Sequence, residues 1–134
     1  MATMDDVVRI AQSLPEVTMR PAWGNDMWRV RDKGFVWARP LNRTDRAHLG
    51  VPAETDTGST IGVRTESQEA KEALLGTDPD VYFTIPHFDG SPVLLVQVDA
   101  IDAEDLHEVI TGAWIARAPK RLAAAFLQSR SDGA

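Results

Sequence analysis

Side chains able to act as nucleophiles or metal ligands are few in this chain and widely spaced. There is no cysteine, no serine in a Gly-x-Ser-x-Gly turn, and no glycine-rich phosphate loop. A Ser-His-Asp triad stays open, because its members need not be adjacent in sequence. The three histidines, His48, His87 and His107, lack the short spacing of metal-ligand pairs. We therefore predict a protein that is not an enzyme and that binds no metal or cofactor.

Three other side chains are suited to hold a ligand. His87 lies between Pro86 and Phe88, where rigid neighbours would frame a group that titrates near neutral pH. It would contact a ligand or phosphate group, or else bond to a carbonyl and fix its turn. Trp23 and Trp37 flank a cation-rich segment. Their rings would stack on a base or an arginine, or else lie in the core.

Charge is distributed unevenly along the chain. The net charge is −6, yet residues 17–46 carry a local charge of +4 and residues 111–134 carry +3. Residues 51–110 carry −11. If each segment keeps to its own face of the molecule, segments of opposite sign form surface patches of opposite charge. The alternative is ordinary solvated charge spread over strands and helices. The acidic balance by itself disfavours nucleic acid as a partner.

Two groups of cations have positions suited to a phosphate backbone. The first lies on a predicted hairpin, and the second opens the last predicted helix, where an N-terminal helix end attracts anions. Cations at that end oppose the helix dipole, so they need an anionic partner, either a ligand or one of the chain's own acids. The candidate nucleic-acid contacts are Arg20, Arg29, Arg31, Arg39, Lys120 and Arg121.

The periodicity of apolar positions predicts an α+β protein. With 134 residues, the chain is expected to form one domain over residues 1–134. Helical spacing marks residues 7–14, and alternation then marks hairpins. Helical spacing returns near residues 67–75, 102–117 and 119–127. We expect a largely antiparallel sheet built from hairpins and covered by helices from the N- and C-terminal ends.

Local features add further expectations. Gly34 should supply the positive φ of the tight turn between strands at residues 27–31 and 35–39. Residues 41–59 are polar and contain Gly and Pro, which predicts a long loop. The in-phase apolar positions should form one core, namely Val7, Ile10, Leu14, Val30, Val63, Leu74, Phe83, Leu95, Val96, Leu106, Ile110, Trp114 and Phe126.

The chain carries no signal of a membrane location. No apolar run approaches the length of about 20 residues that a membrane span needs. The early acids Asp5 and Asp6 argue against a signal peptide, and the absence of cysteine fits a reducing cytoplasm. We predict a cytoplasmic protein without a membrane partner.

Several short motifs, taken in order and spacing, resemble the MmcQ/YjbR family of small bacterial proteins. They are Leu14-Pro15-Glu16-Val17, Trp23-Gly24, Arg29-Val30, Phe35-Val36-Trp37, Phe83-Thr84-Ile85-Pro86-His87-Phe88 and Ala118-Pro119-Lys120-Arg121-Leu122. The resemblance implies a CyaY-like α+β fold. It also implies DNA binding, which is the usual description of the family, but it identifies no set of binding residues.

Two functional hypotheses from different classes follow. The first is a DNA-binding protein that contacts the phosphate backbone through the cationic hairpin and helix start. The second is a small non-catalytic interaction module that binds a protein or a small anionic ligand. A single basic face formed by residues 17–46 and 117–121 would favour the first hypothesis. Scattered cations paired with the acids of residues 51–110 would favour the second.

Overall fold

Six antiparallel strands and five α-helices make up the described part of the molecule, which in this computed structural model is residues 1–52 and 59–132. The strands are β1 (Val17–Met19), β2 (Met27–Val30), β3 (Lys33–Ala38), β4 (Thr60–Arg64), β5 (Tyr82–Phe83) and β6 (Val93–Gln97). The helices are α1 (Met4–Ser13), α2 (Arg43–Leu49), α3 (Gln68–Leu75), α4 (Ala103–Arg117) and α5 (Lys120–Asp132). The strands form one sheet in the order β1-β2-β3-β4-β6-β5. The α+β class predicted from the sequence is confirmed.

Three helices begin at N-cap residues of the types that most often cap helices. Thr3, Ser67 and Asp102 each accept a hydrogen bond from the backbone N–H three residues further on, over 3.3, 3.1 and 2.8 Å. Each bond satisfies a donor that the first helical turn leaves unpaired. Local sequence therefore fixes where α1, α3 and α4 begin.

The turn between β2 and β3 differs from the prediction. Arg31 (φ 48°) and Asp32 (φ 67°), not Gly34, adopt the left-handed conformation that a two-residue hairpin turn requires. Arg31 is held there by an ion pair with Glu16, in which its second nitrogen donates over 3.2 Å. Gly34 lies within β3, where a Cβ atom would come within 2.7 Å of the sulfur of Met27. Glycine here allows close packing against the Met27 side chain and is not needed for the backbone conformation.

The polar segment predicted as a loop at residues 41–59 contains a helix, so that prediction is wrong in part. Asn42 caps α2 by accepting a hydrogen bond from the Asp45 N–H (2.8 Å), and the Asp45 carboxylate accepts one from the Asn42 N–H (3.1 Å). This reciprocal cap, rather than an apolar stripe, defines α2. Apolar periodicity therefore does not predict it. Residues 53–58 of the predicted loop lie outside the described residues.

Buried apolar side chains form two clusters on opposite faces of the sheet. The larger cluster packs between the sheet and helices α1, α4 and α5, and we call this side the helix face. It contains Trp28 and the predicted core residue Trp114. The indole N–H of Trp114 donates to the carbonyl of Pro15 (3.0 Å) and so ties α4 to the segment after α1. The other side, which we call the second face, carries the smaller cluster of Leu41, Ile85, Phe88, Val93 and Leu95.

The prediction of one core is therefore wrong for two of its members. Leu95 is buried in the second-face cluster and Phe83 packs against it, because alternate residues of a strand point to opposite faces. Leu74 and Phe126 are partly buried against the helix-face cluster. The remaining predicted positions are buried in the helix-face cluster, namely Val7, Ile10, Leu14, Val30, Val63, Val96, Leu106, Ile110 and Trp114.

A buried lysine anchors a short 3-10 turn, Pro86–Phe88, that follows β5. Lys71 of α3 is only 2% exposed, and its Nζ donates hydrogen bonds to the carbonyl oxygens of Phe88 (2.7 Å) and Ser91 (2.9 Å). Burial lowers the pKa of Lys71, although two nearby carboxylates oppose that change. A lysine side chain is almost never buried to this extent unless its ammonium group has hydrogen-bond or charge partners. Here the lysine ties the turn to α3.

Truncation of Leu106 tests the helix face. This side chain is fully buried, so Leu106→Ala is expected to lower the free energy of unfolding by about 2–5 kcal/mol through lost contacts and a cavity. Leu127→Ala in α5 is a matched control, because that leucine is 47% exposed and its loss should change stability by about 0.5 kcal/mol or less. Urea denaturation measures both. Equal stability of Leu106→Ala and the parent would contradict the assigned packing.

Replacement of Lys71 tests its anchoring role. Lys71→Met keeps the length of the side chain but leaves the Phe88 and Ser91 carbonyls without their donor. We expect a loss of about 1–3 kcal/mol of unfolding free energy, measured by urea denaturation at neutral pH. Glu69→Gln, an exposed neighbour in the same helix, should change stability far less.

The same variant tests the pKa shift of Lys71. The folded protein releases this proton at a lower pH than the unfolded chain, whose ordinary pKa is 10.5. The unfolded chain therefore binds more protons in the window below 10.5, and folding stability rises with pH across that window. We expect the parent to gain stability relative to Lys71→Met as pH increases through it. A pH-independent difference between the two proteins would show that the lysine pKa is not lowered.

Candidate ligand-binding cleft

A cleft of about 810 Å³ opens on the second face of the sheet. The turn at residues 21–25 forms one wall, the Pro86–Phe88 turn forms another, and β3 contributes the floor. Four of the side chains singled out in the sequence line it together, namely Trp23, Trp37, Arg39 and His87. The fold thus joins residues from distant segments into one site.

Trp23 stands at the rim of the cleft on a closed turn. Its φ of 52° is in the left-handed region, which is unfavourable for a bulky residue. Two backbone hydrogen bonds between Ala22 and Asn25, of 2.8 and 3.1 Å, close the turn, and Gly24 (φ 80°) completes it. The Trp23 side chain is 94% exposed. Strained backbone that presents a large apolar ring to water is typical of a binding surface.

Trp37 forms part of the floor, and its position depends on a glycine. The indole lies against Gly62 of β4, where a Cβ atom would overlap the ring. Trp37 is half-buried and packs against the second-face cluster. Glycine at position 62 leaves the space that the Trp37 ring occupies.

Arg39 is oriented by three partners within the protein. Its Nη1 donates hydrogen bonds to the Asp45 carboxylate (3.0 Å) and to the Pro40 carbonyl (2.8 Å). The guanidinium carbon also lies 5.9 Å from the centre of the Phe88 ring, within cation–π range. Arg39 therefore presents a fixed planar wall, and its charge is largely offset by Asp45.

His87 completes the opposite wall. Its ring meets Phe88 edge-on, with 4.9 Å between ring centres, and the ring makes no hydrogen bond within the described part of the chain. The bonds from Lys71 hold the backbone beneath it. The imidazole nitrogens are thus left available to a ligand in the cleft.

The other predicted contacts do not join the cleft residues in one basic face. Lys120 and Arg121 open α5, which packs on the helix face. Arg31 occupies the β2–β3 turn and is paired with Glu16. These three cations are therefore separate from the cleft.

Arg20 and Arg29 lie closer to it. Arg20 is exposed and precedes the Trp23 turn. Its backbone N–H donates a hydrogen bond to the carbonyl of Met27 (3.0 Å), which is a lining residue of the cleft. Arg29 is two residues after Met27 in β2, so its side chain points to the same face. The Nε of Arg29 is buried and has no hydrogen-bond partner among the described residues.

The lining combines ring faces with hydrogen-bonding groups. Indole, imidazole, guanidinium and two amides, of Asn25 and Asn42, face the same space. The described lining includes no hydroxyl, thiol or carboxylate side chain. Such a site can hold a planar group by stacking and hydrogen bonds.

Sequence reasoning missed Asn25, Asn42 and Met27 as lining residues. Asn42 belongs to the cap of α2, the helix that apolar periodicity does not predict. Asn25 belongs to the turn at residues 21–25, and the opposite wall of the cleft, the Pro86–Phe88 turn, is distant from it in sequence. The signals that could have identified the two asparagines are the Asn-containing turns next to Trp23 and Arg39.

In residues 1–52 and 59–132, no three His, Cys, Asp or Glu side chains gather in a way that could hold a metal ion. No helix there has the length and apolar character needed to cross a membrane.

Comparison with known proteins identifies the family. The family model described as YjbR matches residues 12–116. Uncharacterized proteins of Mycobacterium tuberculosis and Mycobacterium bovis are 46% identical over 128 residues, which cover 95% of this chain and 97% of theirs. The crystal structure of Deinococcus radiodurans protein DR2400, of family-model domain DUF419, is similar with a TM-score of 0.63 at 16% identity, over 86% of this chain and 78% of that one. The resemblance seen in the motifs is thus confirmed, and the chain belongs to the YjbR family.

Proposed function

We propose that the protein binds single-stranded nucleic acid, DNA in particular, in the cleft and without catalysis. The observation that carries this proposal is the exposed Trp23 indole at the rim of a cleft that also contains Trp37, Arg39 and His87. Unpaired bases offer planar faces on which aromatic side chains stack, with little dependence on sequence. A base that enters the cleft would stack on an indole and receive hydrogen bonds from the polar lining.

Phosphate contacts would come from the cations beside the cleft. Arg20 is exposed next to the Trp23 turn, and Arg29 holds a buried Nε that no described residue accepts from. A buried donor without a partner is unfavourable. A phosphate oxygen of the bound strand would accept hydrogen bonds from the terminal guanidinium nitrogens of Arg20 and Arg29, since the Arg29 Nε itself is buried.

The distribution of cations suits a single strand better than a duplex. The six predicted cations are divided between the two faces of the sheet, and Arg31 and Arg39 are already paired with Glu16 and Asp45. A net charge of −6 also repels a polyanion at long range and slows association. The expected affinity is that of non-specific binding, on the order of 10⁻⁴–10⁻⁶ M at physiological salt.

Absence of catalysis and a cytoplasmic location are part of the proposal. The described lining of the cleft lacks hydroxyl, thiol and carboxylate side chains, and among its residues only His87 could act as a general base, with no nucleophile beside it. The cytoplasmic location rests on the cysteine-free sequence and stays a prediction.

The alternative is a small anionic ligand, and the size of the cleft favours it. Small-molecule sites commonly measure about 300–1,000 Å³, and the cleft, at about 810 Å³, lies within that range. A mononucleotide would use the same stacking surface as a base within a strand. The length dependence of binding therefore separates the two functions.

Removal of the Trp23 ring tests the stacking contact. Trp23→Ala should weaken binding of a fluorescein-labelled single strand by about 5- to 150-fold, which corresponds to about 1–3 kcal/mol for one stacked base. Fluorescence anisotropy at low salt measures the affinity. Leu127→Ala removes an exposed apolar side chain from α5 and should leave the affinity unchanged. Full binding by Trp23→Ala, or no binding by the parent, would exclude the proposal.

The salt dependence of binding tests the phosphate contact. Arg29→Ala should reduce the slope of log affinity against log salt by about 0.7, the value for one phosphate contact to a single strand. Arg130→Ala is the matched control, because Arg130 lies in α5 and contacts Phe126 there. Equal slopes for Arg29→Ala and Arg130→Ala would show that Arg29 does not contact a phosphate group.

A competition experiment decides between the strand and the small ligand. A single-stranded oligonucleotide should compete for the cleft far better than the equivalent mononucleotide, since each additional stacked base and phosphate adds affinity. Equal competition by the two would favour the small-ligand module. Stronger binding of a duplex than of a single strand would contradict stacking in the cleft.

A further inference from the structure

The outer strand β1 has backbone groups that point away from the sheet. It stands at one end of the strand order and pairs only with β2. The backbone N–H of Arg20, directly after β1, donates to the carbonyl of Met27 (3.0 Å). Antiparallel strands alternate between hydrogen-bonded and non-hydrogen-bonded pairs, so Thr18, like Arg20, directs its N–H and C=O towards β2. The N–H and C=O groups of Val17 and Met19 therefore point to the free edge.

This edge is open in the described part of the molecule. Both backbone groups of Met19 and the carbonyl of Val17 make no hydrogen bond with residues 1–52 or 59–132. Thr18 is exposed, and the Met19 side chain is 45% exposed. The outer strand at the other end, β5, has two residues, and its Tyr82 is only 7% exposed. An unpaired strand edge is a template for a strand from another chain.

The edge of β1 is complementary to itself. When two copies of β1 pair antiparallel with Thr18 opposite Thr18, each Met19 lies opposite Val17 of the second copy. The Met19 N–H of each copy then donates to the Val17 carbonyl of the other, so the groups that point to the edge satisfy one another. Thr18 forms the non-hydrogen-bonded pair on the twofold axis. Such an interface is closed, because each copy uses the same surface.

Prolines exclude two neighbouring registers. Pairing centred on Val17 would place Pro15 opposite Met19 of the second copy, and pairing centred on Met19 would place Pro21 opposite Val17. Proline has no N–H to donate, so each of these registers loses edge hydrogen bonds.

Charges select the same register. Pairing centred on Thr18 places Glu16 opposite Arg20 of the second copy. Glu16 has a side chain that is 46% exposed beside its pair with Arg31, and Arg20 has no ion pair among the described residues. Pairing centred on Glu16 or on Arg20 would instead place like charges directly opposite each other, which is unfavourable.

We propose that β1 binds a second copy of this chain, in antiparallel pairing centred on Thr18. Three paired residues bury little surface compared with a standard interface of about 800 Å² per partner. The association is therefore weak and depends on protein concentration.

The dimer would carry both clefts on one side. Residues directly opposite in paired strands lie on the same face of the sheet, so the second faces of the two copies are continuous. The β3 floors of the clefts are separated by five strand spacings, or about 24 Å. Arg20 and Arg29 of both copies lie between them. Where the proposed function holds, one nucleic-acid strand would therefore engage both clefts.

A single cysteine tests the register, because the chain has no cysteine of its own. The Cα atoms of the two Thr18 residues would lie about 4.5 Å apart, which a disulfide can bridge. Thr18→Cys should thus form a covalent dimer on mild oxidation, seen on a non-reducing gel. Met19→Cys is the matched control, because that position lies opposite Val17 and its own copies are more than about 7 Å apart. Equal cross-linking by the two variants, or none by Thr18→Cys, would overturn the proposal.

Analytical ultracentrifugation over a concentration series tests the contact without a cross-link. The parent should shift from monomer to dimer as its concentration rises. Met19→Pro removes the edge N–H but no bond to β2, and Arg20→Glu brings like charges together, so both should stay monomeric. Arg130→Glu makes the same charge change in α5 and should dimerise like the parent. Circular dichroism confirms that each variant is folded. A parent that is monomeric up to about 1 mM, or dimerisation of Arg20→Glu equal to that of the parent, would contradict the pairing.

The covalent dimer also tests whether the clefts act together. A single-stranded oligonucleotide long enough to span both clefts should bind oxidised Thr18→Cys about 10²–10⁴-fold more tightly than the reduced protein at a concentration where that is monomeric. Equal affinities would show that one strand does not join the clefts. Absence of binding by either form would instead reject the proposed function, and cross-linking, which needs no nucleic acid, would still decide the dimer.

Discussion

Burial of β6 on both of its faces determines the rest of the architecture. Leu94 and Val96 point to the helix face, while Val93 and Leu95 point to the second face. A strand that is apolar on both sides cannot leave one side of its sheet in water. The chain must therefore build a layer on each side. The long α4 and the terminal helices cover one face, and short segments around Leu41 and Phe88 cover the other.

The unequal thickness of these layers creates the candidate cleft. The second layer covers β4, β5 and β6 but stops at the floor formed by β3, where Met27 and Gly34 line open space. Polar anchors support its boundary: Lys71 binds two carbonyls of the 86–91 turn, and Asp45 orients Arg39. Because both anchors are largely buried, the walls are held in place before a ligand arrives.

Features determined by local sequence were the predictable part of this molecule. Helix caps, apolar periodicity and hairpin alternation each depend on residues a few positions apart, and they gave the α+β class and most of the helix-face core. The residue types of the cleft were also identified, since Trp23, Trp37 and His87 are suited to ligands by their chemistry. Their meeting in space was not predictable, because it depends on the insertion of β6 between β4 and β5.

The errors have a common physical origin in contacts between distant residues. Glycine is the usual choice for a positive φ, but the ion pair between Arg31 and Glu16 stabilises the turn without one. The burial of Lys71, about which the sequence makes no prediction, also depends on distant residues, because the carbonyls of a later turn make it favourable. Two clusters replaced one because Leu95 and Val96 are adjacent in β6 and point to opposite faces of the sheet, whereas the one-core prediction assigned both to the same cluster.

The hydrogen bond from Trp114 to Pro15 joins positions 99 residues apart, and it has a consequence for the order of folding. Closing a long loop adds only modest free energy, yet contacts of large sequence separation slow the search for the native state. During synthesis α1 leaves the ribosome long before α4 exists, so its apolar stripe has no partner at that time. The nascent chain therefore exposes Val7 and Ile10 until nearly all of the sheet has been made, and this interval is when aggregation is most favourable.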